Sequence, residues 1–109
     1  MALLVLKFGG TSVGTPDRIR SVASRIAKST SEGNSLVVVV SAMGRTTAEL
    51  LALANEVSEN PPGREVDMLL TAGERISMAL LSMALSDLGV KAMSFTGSKS
   101  GILTSNHHR

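Results

Sequence analysis

With 109 residues, 43% hydrophobic and 18% charged, the chain fits one small folded domain or part of a larger one, and global disorder is excluded. Only 2% of the residues are aromatic, the net charge is +2 and the basic residues form no run, which argues against base-stacking single-strand binders and polyanion partners. There is no cysteine, so disulfides and thiolate metal sites are excluded.

Residues 2–8, ALLVLKF, are short and nearly continuously apolar, the pattern of a buried strand. No basic region precedes them, unlike a signal peptide, and no apolar run reaches the roughly 18 residues of a membrane span. The expectation is a cytoplasmic protein with no membrane or nucleic-acid partner. Thr15 is placed to cap a helix whose first position is Pro16. Ile19, Val22, Ala23, Ile26 and Ala27 form its apolar stripe, and Gly33-Asn34 end it. LVVVV, residues 36–40, is a β-branched run suited to a central parallel strand covered on both faces. A second helix is expected over about residues 46–58, with Leu50, Leu53, Ala54 and Val57 on one face, until Asn60-Pro61-Pro62-Gly63 breaks it. A third covers about residues 64–88, with an interruption near Gly73, and Gly89 closes it. VKAMSF, residues 90–95, is a weaker third strand.

The order β-α-β-α-α-β predicts an α/β layered fold with a mostly parallel sheet. TGSKSGILTSNHHR then follows as a polar segment that leads nowhere. Three strands make a small core with an exposed edge, so the chain is expected to be the first part of a longer domain. Met68, Met78, Met83 and Met93 read as core filler, and Arg18, Arg20 and Arg25 as a solvated helix face. His107 and His108 are adjacent, and on a strand would face opposite ways, so no metal site is expected there.

Three places carry residues suited to chemistry. In Lys7-Phe8-Gly9-Gly10-Thr11-Ser12-Val13-Gly14 the glycines let the backbone approach an anion closely. Successive N–H groups and a helix start nearby make an anion-binding concavity, to which Lys7 adds a positive charge and Thr11 and Ser12 add hydroxyls. The pattern is neither the Walker loop, since the lysine precedes the glycines, nor GxGxxG. A tight strand-to-helix turn with a solvated lysine would look the same. Ser41-Ala42-Met43-Gly44-Arg45-Thr46-Thr47 follows the second strand directly. In open parallel sheets ligands bind beyond the carboxyl ends of the strands, where Lys7, Ser41 and Thr96-Gly97 fall together. Ser41 and Thr47 offer hydroxyls to a small polar substrate; alternatively Ser41 ends the strand and Thr46 or Thr47 caps the next helix. Glu74 shares a helical line with Leu70, Met78, Leu81 and Leu85, and its neighbours one turn away, Leu70, Thr71, Ser77 and Met78, include no cation. A carboxylate on that apolar line needs a distant partner, such as a lysine or a substrate ammonium, unless it points to water near a helix break.

KFGGTSVG, VVVSAMGRTT and LLTAGERIS, in that order, resemble the three signature segments of aspartate kinases, within the amino-acid kinase family, and TGSKSGILT resembles that family's continuation. The resemblance spans essentially the whole chain. It implies a three-layer αβα sandwich with a mostly parallel sheet, of which residues 1–109 are the incomplete N-terminal part, without ACT regulatory domains. It implies ATP-dependent phosphorylation of the side-chain carboxylate of L-aspartate to 4-phospho-L-aspartate, the first step toward lysine, methionine and threonine. Mg²⁺ would come with the nucleotide. By the same resemblance Lys7 contacts the transferring phosphoryl group, Phe8, Gly9, Gly10, Thr11 and Ser12 line the phosphate path, and Ser41, Thr47 and Glu74 hold the aspartate. Glu74 would face its ammonium, so Lys7 and Glu74 are the expected catalytic residues. A full-length protein is expected to form homo- or hetero-oligomers. The family's later glycine-rich segment, with a further catalytic aspartate and a substrate-binding arginine, is absent, so the chain alone is expected to be inactive. The alternatives are a related member of the family, or a short non-catalytic protein that binds a ligand or pairs with a partner chain.

Overall fold

The computed structural model describes residues 2–95 and 101–105. The elements are β1 (Leu3–Phe8), α1 (Pro16–Ser31), β2 (Ser35–Val40), α2 (Thr46–Val57), α3 (Gly63–Asp87), β3 (Lys91–Phe95) and β4 (Gly101–Ser105). The sheet order is β1-β2-β4-β3. β1 and β2 are parallel, with Lys7 opposite Val39 and Phe8 opposite Val40. β4 runs antiparallel to both its neighbours, its Ile102 opposite Val38 on one side and Ser94 on the other. The α/β class holds, but the sheet is mixed. Its fourth strand comes from GILTS, inside the segment whose composition reads as a polar tail, and it takes the place beside β2 that a three-stranded sheet gives to β3.

Local chemistry explains where the helices start and stop. The Thr15 Oγ1 accepts a hydrogen bond from the Arg18 N–H at 3.2 Å, and Pro16 opens α1. Ile19, Val22, Ala23 and Ile26 of the expected stripe are buried. α2 starts at Thr46, yet neither threonine caps it: Arg45 holds the N-cap position and no side chain bonds the first turn. α3 is continuous from Gly63 to Asp87, so the expected interruption near Gly73 does not occur.

α1 and α3 lie together on one face of the sheet. Phe8, Leu36, Val38 and Ile102 from the strands meet Ile26, Leu81 and Leu85 from the helices, each burial contributing about 1.5–3 kcal/mol. The Thr104 hydroxyl, buried in this core, accepts from the Leu36 N–H at 3.0 Å and donates to the Leu36 carbonyl at 3.3 Å, fastening β4 to β2. On the opposite face Leu3, Val5, Met93 and Phe95 are exposed and Val37 and Val39 half-buried. The described residues therefore supply two of the three expected layers, and β2, though interior to the sheet, is covered only on its Leu36-Val38-Val40 face.

Two expectations about burial change. α2 has no buried residue, and Leu53 and Val57 of its apolar face are 53% and 87% exposed, because among the described elements α2 packs chiefly along α3. Of the methionines expected as core filler only Met78 is buried; Met68, Met83 and Met93 are exposed. α3 is long and apolar enough to cross a membrane by length and composition alone; its Ser77, Met78, Leu81 and Leu85 are buried against the rest of the fold, while most of its length is not.

Candidate functional site

The loop after β1 and the loop after β2 leave adjacent parallel strands at the same end, so their backbones run side by side. The Ser41 N–H donates to the Phe8 carbonyl at 3.1 Å, and the Gly44 N–H donates to the Gly10 carbonyl at 2.9 Å. This lacing demands glycine at both ends. A Cβ on Gly10 would stand 2.8 Å from the Ala42 carbonyl oxygen, closer than real Cβ atoms come, and Gly44 has a φ of +44°.

Within the first loop the Ser12 N–H donates to the Gly9 carbonyl at 3.1 Å and the Gly14 N–H to the Thr11 carbonyl at 3.3 Å. The Thr11 carbonyl also accepts from the Arg18 guanidinium at 3.1 Å. The N–H groups of Gly10 and Thr11 donate to no acceptor among the described residues, and Gly9 faces open space. Two successive unspent donors on an exposed glycine loop before a helix suit an anion. Lys7, Thr11 and Ser12 are exposed; Phe8 is buried, with the Arg25 guanidinium 5.6 Å from its ring centroid. Lys7 alternates with Phe8, so it projects from the sheet face opposite the helices. The arginines read as a solvated face are exposed, but Arg18 and Arg25 also brace the loop and the strand end. Composition does not signal that role, because it depends on the path of the loop.

α3 joins this arrangement at Gly73. A Cβ there would stand 3.1 Å from the Ala42 Cβ, 3.3 Å from the Leu50 Cδ1 and 3.4 Å from the Thr46 Cγ2. Glu74, the next residue, is half-buried and has no ion pair or hydrogen bond among the described residues. Ser41 is half-buried and Thr47 exposed. The structure therefore brings the Lys7–Ser12, Ser41–Thr47 and Glu74 segments to one end of the sheet. Thr96, Gly97, His107 and His108 lie outside the described residues. No three His, Asp or Glu side chains converge on a metal-sized site among the described residues. A cavity of about 550 Å³ lies elsewhere, in the groove between α2 and α3, lined by Leu53, Val57, Met68 and Leu69 among others. It includes none of the candidate residues.

Residues 2–109 match the amino acid kinase family. The chain is 59% identical over 108 residues to an aspartokinase of Mycolicibacterium smegmatis, covering 99% of this chain and 26% of that protein. It is 58% identical over 108 residues to an aspartokinase of Corynebacterium glutamicum, with the same coverage of 99% and 26%. Its fold matches a crystal structure of an aspartate kinase from Synechocystis with a TM-score of 0.85 and 57% identity, covering 88% of this chain and 16% of that one. The chain thus spans about a quarter of the length of the curated relatives it matches, 26% for both aspartokinases.

Proposed function

From the premise that the chain belongs to the amino acid kinase family, we propose that it forms the phosphate-handling and aspartate-holding part of an aspartate kinase. The reaction is transfer of the terminal phosphoryl group of ATP to the side-chain carboxylate of L-aspartate. A carboxylate oxygen bonds to phosphorus as the bond to the ADP oxygen breaks, giving 4-phospho-L-aspartate and ADP. Two anions must approach for this, so the task of the site is positioning and charge neutralisation. Lys7 neutralises charge on the transferring group. The Gly9–Ser12 loop receives the phosphates on its free N–H groups and hydroxyls. Ser41 and Thr47 hold the aspartate, and Glu74 accepts its ammonium. Mg²⁺ arriving with the nucleotide would supply further neutralisation; no three His, Asp or Glu side chains converge on a site for it among the described residues.

The observation that carries the reading is the meeting, at the loop after β2, of a glycine loop and a half-buried Glu74, both without partners for their polar groups among the described residues. A carboxylate on an apolar helix line is costly without a cation, and a substrate ammonium provides one. The test is a chimera in which these 109 residues replace the matching segment of the M. smegmatis aspartokinase. Aspartate-dependent ADP release is expected. Glu74→Gln should raise the aspartate KM by tenfold or more, as expected for a lost charge-assisted contact, with the ATP KM within about twofold. A chimera that folds but does not turn over, or equal losses for both ligands, would reject the reading.

A further inference from the structure

Ala42 stands at the junction of all three segments that carry the candidate residues, and it is 4% exposed. Its carbonyl oxygen occupies the space a Cβ on Gly10 would need, at 2.8 Å, and its methyl lies 3.1 Å from where a Cβ on Gly73 would be. Nothing in the backbone requires glycine at position 73. Among the described residues the positive-φ glycines are Gly33, Gly44 and Gly89, whereas Gly73 is an ordinary helical residue well inside α3. Glycine is a poor helix former, so its presence there points to space. α3 approaches the loop after β2 at a position without a side chain, one residue before Glu74.

We propose that the Gly73–Ala42 contact is a positioning contact that sets how far the Glu74 carboxylate stands from the Ser41–Thr47 loop. The inference rests on the assignment of Glu74 to the substrate ammonium. A methyl added at Gly73 meets Ala42, Leu50 and Thr46 at 3.1–3.4 Å, so the helix or the loop must shift by a few tenths of an ångström. α3 is continuous through this point and carries Glu74 with it. A charge pair in a partly buried site is sensitive to such displacement, whereas none of the three atoms nearest a methyl at Gly73 belongs to the phosphate loop.

The test exchanges the two small residues in the chimera described above. Gly73→Ala is expected to raise the aspartate KM about tenfold while the ATP KM stays within about twofold. The double variant Ala42→Gly/Gly73→Ala removes the nearest of the three groups that the new methyl would meet, leaving the flexible Leu50 and Thr46 side chains to adjust, and should return the aspartate KM to within about threefold of the parent. If Gly73→Ala does not fold, the double variant and Ala42→Gly decide. Ala42→Gly alone, which loosens the contact without a clash, should still raise the aspartate KM more than the ATP KM. The proposal is overturned if Gly73→Ala changes neither KM or both equally, if the exchange fails to restore aspartate binding, or if Ala42→Gly is without selective effect. Should Glu74→Gln itself leave aspartate binding unchanged, the underlying assignment falls and the positioning role with it. A selective Glu74→Gln defect with a silent Gly73→Ala rejects the positioning role alone.

Discussion

At the residue scale the half-burial of Glu74 was readable in advance, because a helical line through Leu70, Met78, Leu81 and Leu85 must place it at the edge of the core. The reading of Met68 and Met83 as core filler failed: both are exposed, because the buried residues of α3 are confined to the side that faces α1 and the sheet. Ser77 could not be judged from sequence at all. It is fully buried, and its Oγ has no hydrogen-bond partner among the described residues. An unpaired buried hydroxyl costs about 1–3 kcal/mol, and alanine is also the better helix former. Ser77→Ala is therefore expected to stabilise the chain by about 1 kcal/mol. Urea denaturation followed by circular dichroism would show it as a higher midpoint at unchanged slope; a lower midpoint would mean that the hydroxyl has a partner. Gly73→Ala has two opposing terms in the same assay: about 1 kcal/mol gained in helix propensity against about 1–3 kcal/mol of overpacking. Its net stability change should be small, so a large loss of aspartate affinity in that variant would not be an unfolding effect.

At the element scale β1, α1 and β2 were legible because their signals are local: a β-branched run, a threonine–proline cap and a 3.6-residue apolar stripe. β4 was not, because GILTS is short and looks like part of a polar tail. It becomes a strand only through non-local pairing with β2 and β3. What holds it is partly one side chain, the Thr104 hydroxyl bonded to both the N–H and the carbonyl of Leu36. Thr104→Val keeps the shape and leaves both backbone groups unpaired in the core, an expected loss of about 1–3 kcal/mol. Hydrogen exchange at the Leu36 amide should rise in that variant relative to Val22 in α1. Equal protection at both would show that β4 is not fastened there. α1 offers a matching check at its other end of the sequence. Thr15→Ala removes the acceptor for the Arg18 N–H and should cost about 1 kcal/mol in the same denaturation assay.

At the scale of the whole molecule the chain presents two different faces. One is closed by α1 and α3; on the other, Leu3, Val5, Met93 and Phe95 are 66%, 69%, 65% and 42% exposed. Sequence alone pointed to an incomplete layered fold, since three strands make a small core with an exposed edge, but not to which face lacks cover; that follows from α1 and α3 packing together. An apolar sheet face of this kind, bounded by the edge strand β1, attracts apolar dyes and other copies of the chain. The 109-residue chain by itself is expected to enhance the fluorescence of anilinonaphthalene sulfonate strongly and to associate at micromolar concentration. Val5→Lys places a charge on that face, midway along the edge strand β1 and opposite Val37. It should lower dye binding and association while changing unfolding stability by no more than about 0.5 kcal/mol, because the side chain is already in water. In the chimera with the remaining three quarters of an aspartokinase the same substitution should instead destabilise by about 2 kcal/mol or more, if the added chain covers this face as the third layer. A substitution tolerated equally in both settings would mean that the face stays open in the longer protein. The missing layer would then have to be sought on the α1–α3 side, where the exposed flank of α3 and the groove beside α2 are the apolar surfaces left.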